Sequence, residues 1–248
     1  MLASLPMYDR PQTARANDRL WAAFRDCYSA PSPKRLRRGG DTWDHWRDPE
    51  LVLSQTCGLP YRAGLHRKVS LVATPVYAGL DCAPGHYFSV YVAHKNDTRN
   101  ALSDFKGARL AYNDPLSQSG WAAIALDAAR ENLVFSEHLQ TGSHRASAGF
   151  VAEGRADIAS LDALTWQMIQ NWDDLAQELR VIGQSAPSPG LPYITGRNSD
   201  AKEVARALGA AFSAVGQRDR SVLGISGLTY IAQYAYLALP KPEFPPVT

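Results

Sequence analysis

Two serines, Ser117 and Ser119, stand in the stretch YNDPLSQSGW directly ahead of the helix-forming run GWAAIALDAAR. A Ser-His pair, Ser143 and His144, opens HRASAGFVAEGR, and Asp162 sits between ADIASLD and ALTWQMIQNW. Hydroxyls and an imidazole can direct hydrogen bonds at a ligand, and a helix start adds backbone N–H groups without intrahelical acceptors and the positive end of the helix dipole. Such a set favours a negatively charged guest such as phosphate, phosphonate or carboxylate. Asp162 repels a bare anion, so it suits one that carries an O–H or an amine, to which a carboxylate bonds strongly. The same residues have plain structural uses. Ser117, Ser119, Ser143 and Asp162 are N-cap residue types, each worth about 1 kcal/mol with no ligand present, and His144 in a first helical turn can face solvent.

These positions matter only if the fold gathers them. LASLPMYD reads as a short buried strand, after which Asn17 is placed to cap DRLWAAFRDCY, where Leu20, Phe24 and Cys27 recur at helical spacing. The apolar run of ELVLSQTCGLPY stops at Ser54 and becomes a loop, KVSLVATPVY reads as a strand, and GHYFSVYVAHK alternates with period two. From residue 108 three strand, loop and helix units follow in succession, with strands in ARLAYND, LVFSEHLQ and ADIASLD. Repeats of this kind predict a parallel sheet with right-handed crossovers. In such a sheet the strand-to-helix loops share the carboxyl edge, so Ser117, Ser119, Ser143, His144 and Asp162 should share one rim. Further on, SDAKEVARALGAAFSAVG is an amphipathic helix with Asp200 and Glu203 spaced as a capping box, and the proline-rich end of YIAQYAYLALPKPEFPPVT should lie on the surface.

Composition narrows the function further. The 248 residues, 45% hydrophobic with a formal net charge of +2, describe a globular chain without the basic excess of a nucleic-acid-binding domain. PKRLRR at 33–38 is the one basic cluster and reads as a solvated loop. No run is long and apolar enough to span a membrane, and the opening residues do not read as a secretory signal. Cys27, Cys57 and Cys82 form neither a disulfide framework nor a metal knuckle, and the six histidines lack metal-ligand spacing, so no metal and no cofactor is expected. The phosphate-loop, zinc-protease and nucleophile-elbow motifs are all missing, and SDFK at 103–106 matches S-x-x-K without its partner motifs. The chain therefore reads as a binding protein with no catalytic residues. Arg145 can grip a phosphoryl group bidentately, but a helix turns it about 100° away from His144. Trp121 and Trp166 read as core, and Cys57 as a packed thiol.

Three pieces, DFKGARLAYNDPLSQSGW, TGSHRASAGFVAEGRADIASLDALTW and SPGLPYITGR, in that order, resemble the PhnD-like family of phosphate, phosphite and phosphonate substrate-binding proteins of ABC transporters. The resemblance implies an α/β fold of the type II periplasmic-binding-protein kind: two lobes, each a mostly parallel sheet flanked by helices, with a ligand cleft between them that closes by hinge motion. It places the first lobe at 1–91 plus 185–248 and the second at 92–184. The family's serine-rich anion loop falls on Ser117, Gln118 and Ser119, its Ser-His pair on Ser143 and His144, and its acidic residue on Asp162. Tyr8, Thr56, Tyr61 and Tyr87 are the candidates for contacts from the first lobe. Two residues depart from the family pattern: Gln118 in the middle of the serine loop, and Arg145 where many relatives are acidic. The implied partners are a small anionic ligand and an ABC transporter membrane subunit, with no nucleic acid and no direct membrane insertion. The implied location is periplasmic. With no export signal read in the sequence, a cytoplasmic metabolite sensor, or an enzyme on the same two-lobe fold, is the alternative.

Overall fold

The computed structural model describes residues 1–246. Its strands are β1 (Leu2–Ser4), β2 (Leu51–Gln55), β3 (Val69–Tyr77), β4 (His86–Tyr87), β5 (Ser89–His94), β6 (Arg109–Tyr112), β7 (Glu137–Gln140), β8 (Ile158–Asp162), β9 (Leu179–Gln184), β10 (Ser188–Pro189), β11 (Tyr193–Gly196) and β12 (Ile225–Thr229). The chain forms two compact units. Unit 1 comprises Met1–His86 with Pro189–Leu239, and unit 2 comprises Tyr87–Ser188 with the tail from Pro240.

Unit 1 holds a five-stranded sheet in the order β1-β2-β11-β3-β12. β1 and β2 pair in parallel, while β11 runs antiparallel to both β2 and β3, and β12 antiparallel to β3. The sheet is therefore mixed. One face packs against helices Ala14–Cys27 and Ala201–Ala214 through Leu20, Trp21, Phe24, Val204, Leu208 and Phe212. The other is covered by Trp46, Tyr61, Leu65 and Tyr236. β1, β2 and β11 are buried along their whole length, whereas the edge strand β12 is buried only at Ile225.

The first helix of unit 1 starts four residues earlier than Asn17 as a cap would allow. It begins at Ala14, with Thr13 in the N-cap position. Buried Thr13 instead accepts from the Arg10 N–H at 2.8 Å and donates to the Tyr8 carbonyl at 2.5 Å. This turn rigidifies the entry and leaves Asn17, inside the helix and 6% exposed, to bind Asp9 at 3.0 Å. Asp200 caps its helix by accepting from Lys202 and Glu203, but the Glu203 carboxylate turns outward to Ser29 and Arg206 rather than closing the box.

Unit 2 holds five strands in the order β7-β6-β8-β5-β9. β6 pairs in parallel with β7 and β8, whereas β5, the strand by which the chain enters, runs antiparallel to β8 and β9. Its core is built from Tyr91, Phe105, Leu110, Trp121, Ile124, Phe135 and Ile158. The proline-rich tail is tied down within unit 2, because Trp121 donates its indole N–H to the Glu243 carbonyl at 2.9 Å. Phe244 is 70% exposed, and Val247 and Thr248 lie outside the described residues. Among the described residues no helix is long and apolar enough to cross a membrane.

Candidate functional site

The loop after β6 is built from local turns. Asp114 accepts from the Leu116 N–H at 2.7 Å, and its carbonyl accepts from Ser117 at 3.0 Å. This tight Asp-Pro turn brings Ser117 to the N-cap, where its hydroxyl accepts from Gly120 N–H at 2.9 Å. The first helical turn, Gln118–Ala122, is a π-turn in which the Ser117 carbonyl receives the Ala122 N–H at 3.0 Å, and regular helix follows over Ala123–Arg130. Single π-turns inside helices recur at functional sites. Ser117, Gln118 and Ser119 are all buried, which a merely capping serine on a surface helix would not be.

The second loop puts Ser143 at the N-cap of helix His144–Ala152, accepting from Ala146 at 3.1 Å. His144 leans across to the first loop, with its Nε2 2.9 Å from the Ser119 hydroxyl. Burial of the ring pushes its pKa down to about 4, against the opposing pull of the Ser160 carbonyl, so the imidazole is neutral at neutral pH. The Ser119 hydroxyl can donate to Nε2 or accept from it, whichever tautomer holds.

The third loop follows β8. Asp162, 2% exposed, caps helix Ala163–Trp172 by accepting from Thr165 at 2.9 Å. Two residues earlier on the same face of the strand, fully buried Ser160 donates to the Ser119 carbonyl at 2.5 Å. β8 is thereby bonded to the serine loop through a side chain as well as through the sheet. β6, β7 and β8 run parallel in one sheet, so their three carboxyl ends present Ser117, Gln118, Ser119, Ser143, His144 and Asp162 on one edge of unit 2.

Three residues of this arrangement carried no chemical signal in the sequence. A Cβ on Gly120 would fall 1.8 Å from Asn113 Oδ1 and 3.1 Å from His144 Cε1, so the absence of a side chain here lets the Asn113 side chain and the imidazole approach the helix start. Asn113 Oδ1 is itself buried with no hydrogen-bond partner among the described residues. Ser160 was concealed in an apolar strand, and only its period-two relation to Asp162 pointed to it.

Arg145 turns outward to Asp173 at 2.8 Å, as its helical angle required. In unit 1, Tyr8 follows β1 with its hydroxyl 3.5 Å from that of Tyr77. Thr56 follows β2, fully buried, and donates from its backbone to the Pro192 carbonyl. Tyr61 lies on the helical turn Tyr61–Leu65, packed edge-on against Tyr236 and lining a cavity with Arg197 and Tyr230. Tyr87 is buried in β4, where the chain leaves unit 1. Among the described residues Cys27, Cys57 and Cys82 form no disulfide.

Comparison with solved structures reproduces this fold. PhnD1 from Prochlorococcus marinus (MIT 9301), solved in complex with methylphosphonate, superposes with a TM-score of 0.72 at 14% identity, covering 95% of this chain and 94% of that one. A binding protein component of an ABC phosphonate transporter from Pseudomonas aeruginosa gives 0.70 at 18% identity, over 92% and 80% of the two chains. XAC2383 from Xanthomonas citri, bound to a chloride ion, gives 0.67 at 14% identity, over 94% and 92%. No curated protein sequence matches the chain. The family described as ABC transporter, phosphonate, periplasmic substrate-binding protein matches residues 50–234, a span that contains all three loops of the rim. The chain belongs to this family of periplasmic substrate-binding proteins of phosphonate ABC transporters.

Proposed function

We propose that this protein captures a monoprotonated phosphorus oxyanion, a phosphonate or a phosphate, on the unit 2 rim and delivers it to the membrane subunit of an ABC transporter from the periplasmic side. The observation that carries the reading is the contact of Ser119 with His144, which joins two helix starts at the carboxyl edge of parallel strands. Hydroxyls and first-turn N–H groups supply the donors, and no lysine or arginine belongs to the set. A neutral imidazole fits this scheme, since it completes the hydrogen bonding without adding a fixed charge. Asp162 supplies the selection: a carboxylate at the rim tolerates an oxyanion only through an O–H, which a phosphonate monoanion carries and sulfate lacks.

The test is a calorimetric titration at neutral pH with methylphosphonate, phosphate, phosphite and sulfate. Methylphosphonate or phosphate should bind and sulfate should not. Ser119→Ala should weaken binding by about 10- to 100-fold, the worth of one hydrogen bond to a charged group. Asp162→Asn keeps a capping residue and should narrow the margin over sulfate by tenfold or more. Equal affinity for sulfate and phosphate in the wild type, or full affinity in Ser119→Ala, would overturn the assignment.

A further inference from the structure

Unit 1 contains a polar cavity of about 190 Å³ that none of the rim residues enters, lined by Tyr61, His66, Ser70, Arg197, Tyr230 and Gln233 among others. It lies at the amino-terminal half of β3, beside residues Val69–Leu71. At ~30 Å³ per water, it holds a molecule of a few heavy atoms.

Its most telling group is Tyr61. The residue is 1% exposed and its ring is wedged edge-on against Tyr236, 5.3 Å between centroids. The two hydroxyls have different fates. That of Tyr236 donates to the Gly190 carbonyl at 3.0 Å and pairs with Thr74 at 2.8 Å, whereas that of Tyr61 has no hydrogen-bond partner among the described residues and faces the cavity. Burial and the neighbouring Tyr230 hold the Tyr61 phenol up to about 12, with the Arg197 charge acting in the opposite sense, so Tyr61 is a permanent O–H donor close to a guanidinium.

Arg197 is exposed but not loose. Its Nε donates to the Arg67 carbonyl at 3.2 Å, which anchors one edge of the guanidinium, and both terminal nitrogens are without an acceptor among the described residues. Among the described residues no carboxylate lines the cavity, and Arg67 and Lys68 follow His66 in the chain. Oriented guanidinium N–H groups, phenolic hydroxyls and a serine hydroxyl, with no competing acid, match a planar or tetrahedral oxyanion.

We propose that this cavity is a second ligand site, contained within unit 1, for a small oxyanion of carboxylate or phosphoryl type, gripped by the Arg197 fork with Tyr61 as its buried donor. Two chemistries of recognition then coexist in one chain: a rim without a cationic side chain in unit 2 and a pocket with a guanidinium in unit 1.

The test uses the full chain, 15N-labelled at arginine, titrated with inorganic phosphate and separately with acetate while arginine Nε–H resonances are followed. The resonance that vanishes in Arg197→Gln should move saturably with at least one probe. Tyr61→Phe, which keeps the ring contact with Tyr236, should weaken that response tenfold or more, and Ser119→Ala should leave it unchanged. A Ser119→Ala protein that loses the response would assign the binding to the rim and overturn the second site. An Arg197 resonance that stays put, or drifts without saturating, with both probes would also overturn it, as would full affinity in Tyr61→Phe.

Discussion

Units 1 and 2 are both five-stranded mixed sheets, yet they spend their polar residues differently. In unit 2 the polar groups cluster where a parallel strand ends and a helix begins: Ser117, Ser119, Ser143 and Asp162 are all N-cap or first-turn residues. In unit 1 the buried polar side chains mostly tie strands and loops to one another. Ser4 meets Ser54 at 2.9 Å, Thr195 donates to the Val52 carbonyl at 2.8 Å, and Gln55 donates to the Leu191 carbonyl at 3.1 Å. The difference teaches that a strand-loop-helix repeat concentrates unsatisfied donors at one edge, whereas a sheet stitched by antiparallel returns consumes them internally.

The comparison breaks most severely at Gly120. Gly120→Ala forces a methyl to within 1.8 Å of Asn113 Oδ1, an overlap that displaces the Asn113 side chain and crowds the His144 ring. Overpacking of this kind costs about 1–3 kcal/mol, and the displaced Ser119–His144 pair should bring a loss of oxyanion affinity beyond 100-fold. Chemical denaturation and calorimetry read the two effects separately. If Asn113 is the obstacle, Asn113→Ala combined with Gly120→Ala recovers most of the stability. In unit 1, Gly209→Ala meets nothing within 4 Å on its helix and should be neutral or stabilising. A Gly120→Ala protein as stable as wild type would show that the rim is not tightly packed.

His144 sharpens the contrast through pH. Its folded-state pKa, about 4, lies below the ordinary 6.5, so the unfolded chain binds the proton more readily. Folding stability contributed by this residue is therefore fully present above pH 6.5 and lost as the pH falls towards 4, to a limit of about 3 kcal/mol. His144→Gln removes the titration, so the variant should gain on the wild type as the solution is acidified through that window. Urea midpoints measured at pH 7, 5.5 and 4.5 decide it: a gap that does not change with pH means that the imidazole is solvated and that the rim is open to water.

How much of this was legible in the sequence follows the same division. The three caps of unit 2 were readable because capping is a local rule, a short polar side chain three residues ahead of the N–H that it accepts. The orphan donors of those helix starts came with them. Asn17 misled because the same rule ignores competition: Thr13, held between Arg10 and the Tyr8 carbonyl, starts the helix earlier. Gly120, Asn113 and Ser160 were not legible, since their roles depend on which loops become neighbours across β6 and β8. The reversal of β5 was equally hidden, because an alternating strand reads the same in either direction.

The smallest expected effect is also the cleanest separation of capping from recognition. Ser143→Ala and Asp200→Ala each remove one capping side chain, from helix His144–Ala152 in unit 2 and helix Ala201–Ala214 in unit 1. Each should cost about 1 kcal/mol of stability. If caps do nothing else, the two variants behave alike in every assay. On the present reading only Ser143→Ala should also weaken methylphosphonate binding, by roughly threefold to tenfold, because its hydroxyl stands at the rim beside His144, while the Asp200 helix start serves its own fold alone. Equal affinities in the two variants would return Ser143 to a purely structural role and confine recognition to Ser117, Ser119, His144 and Asp162.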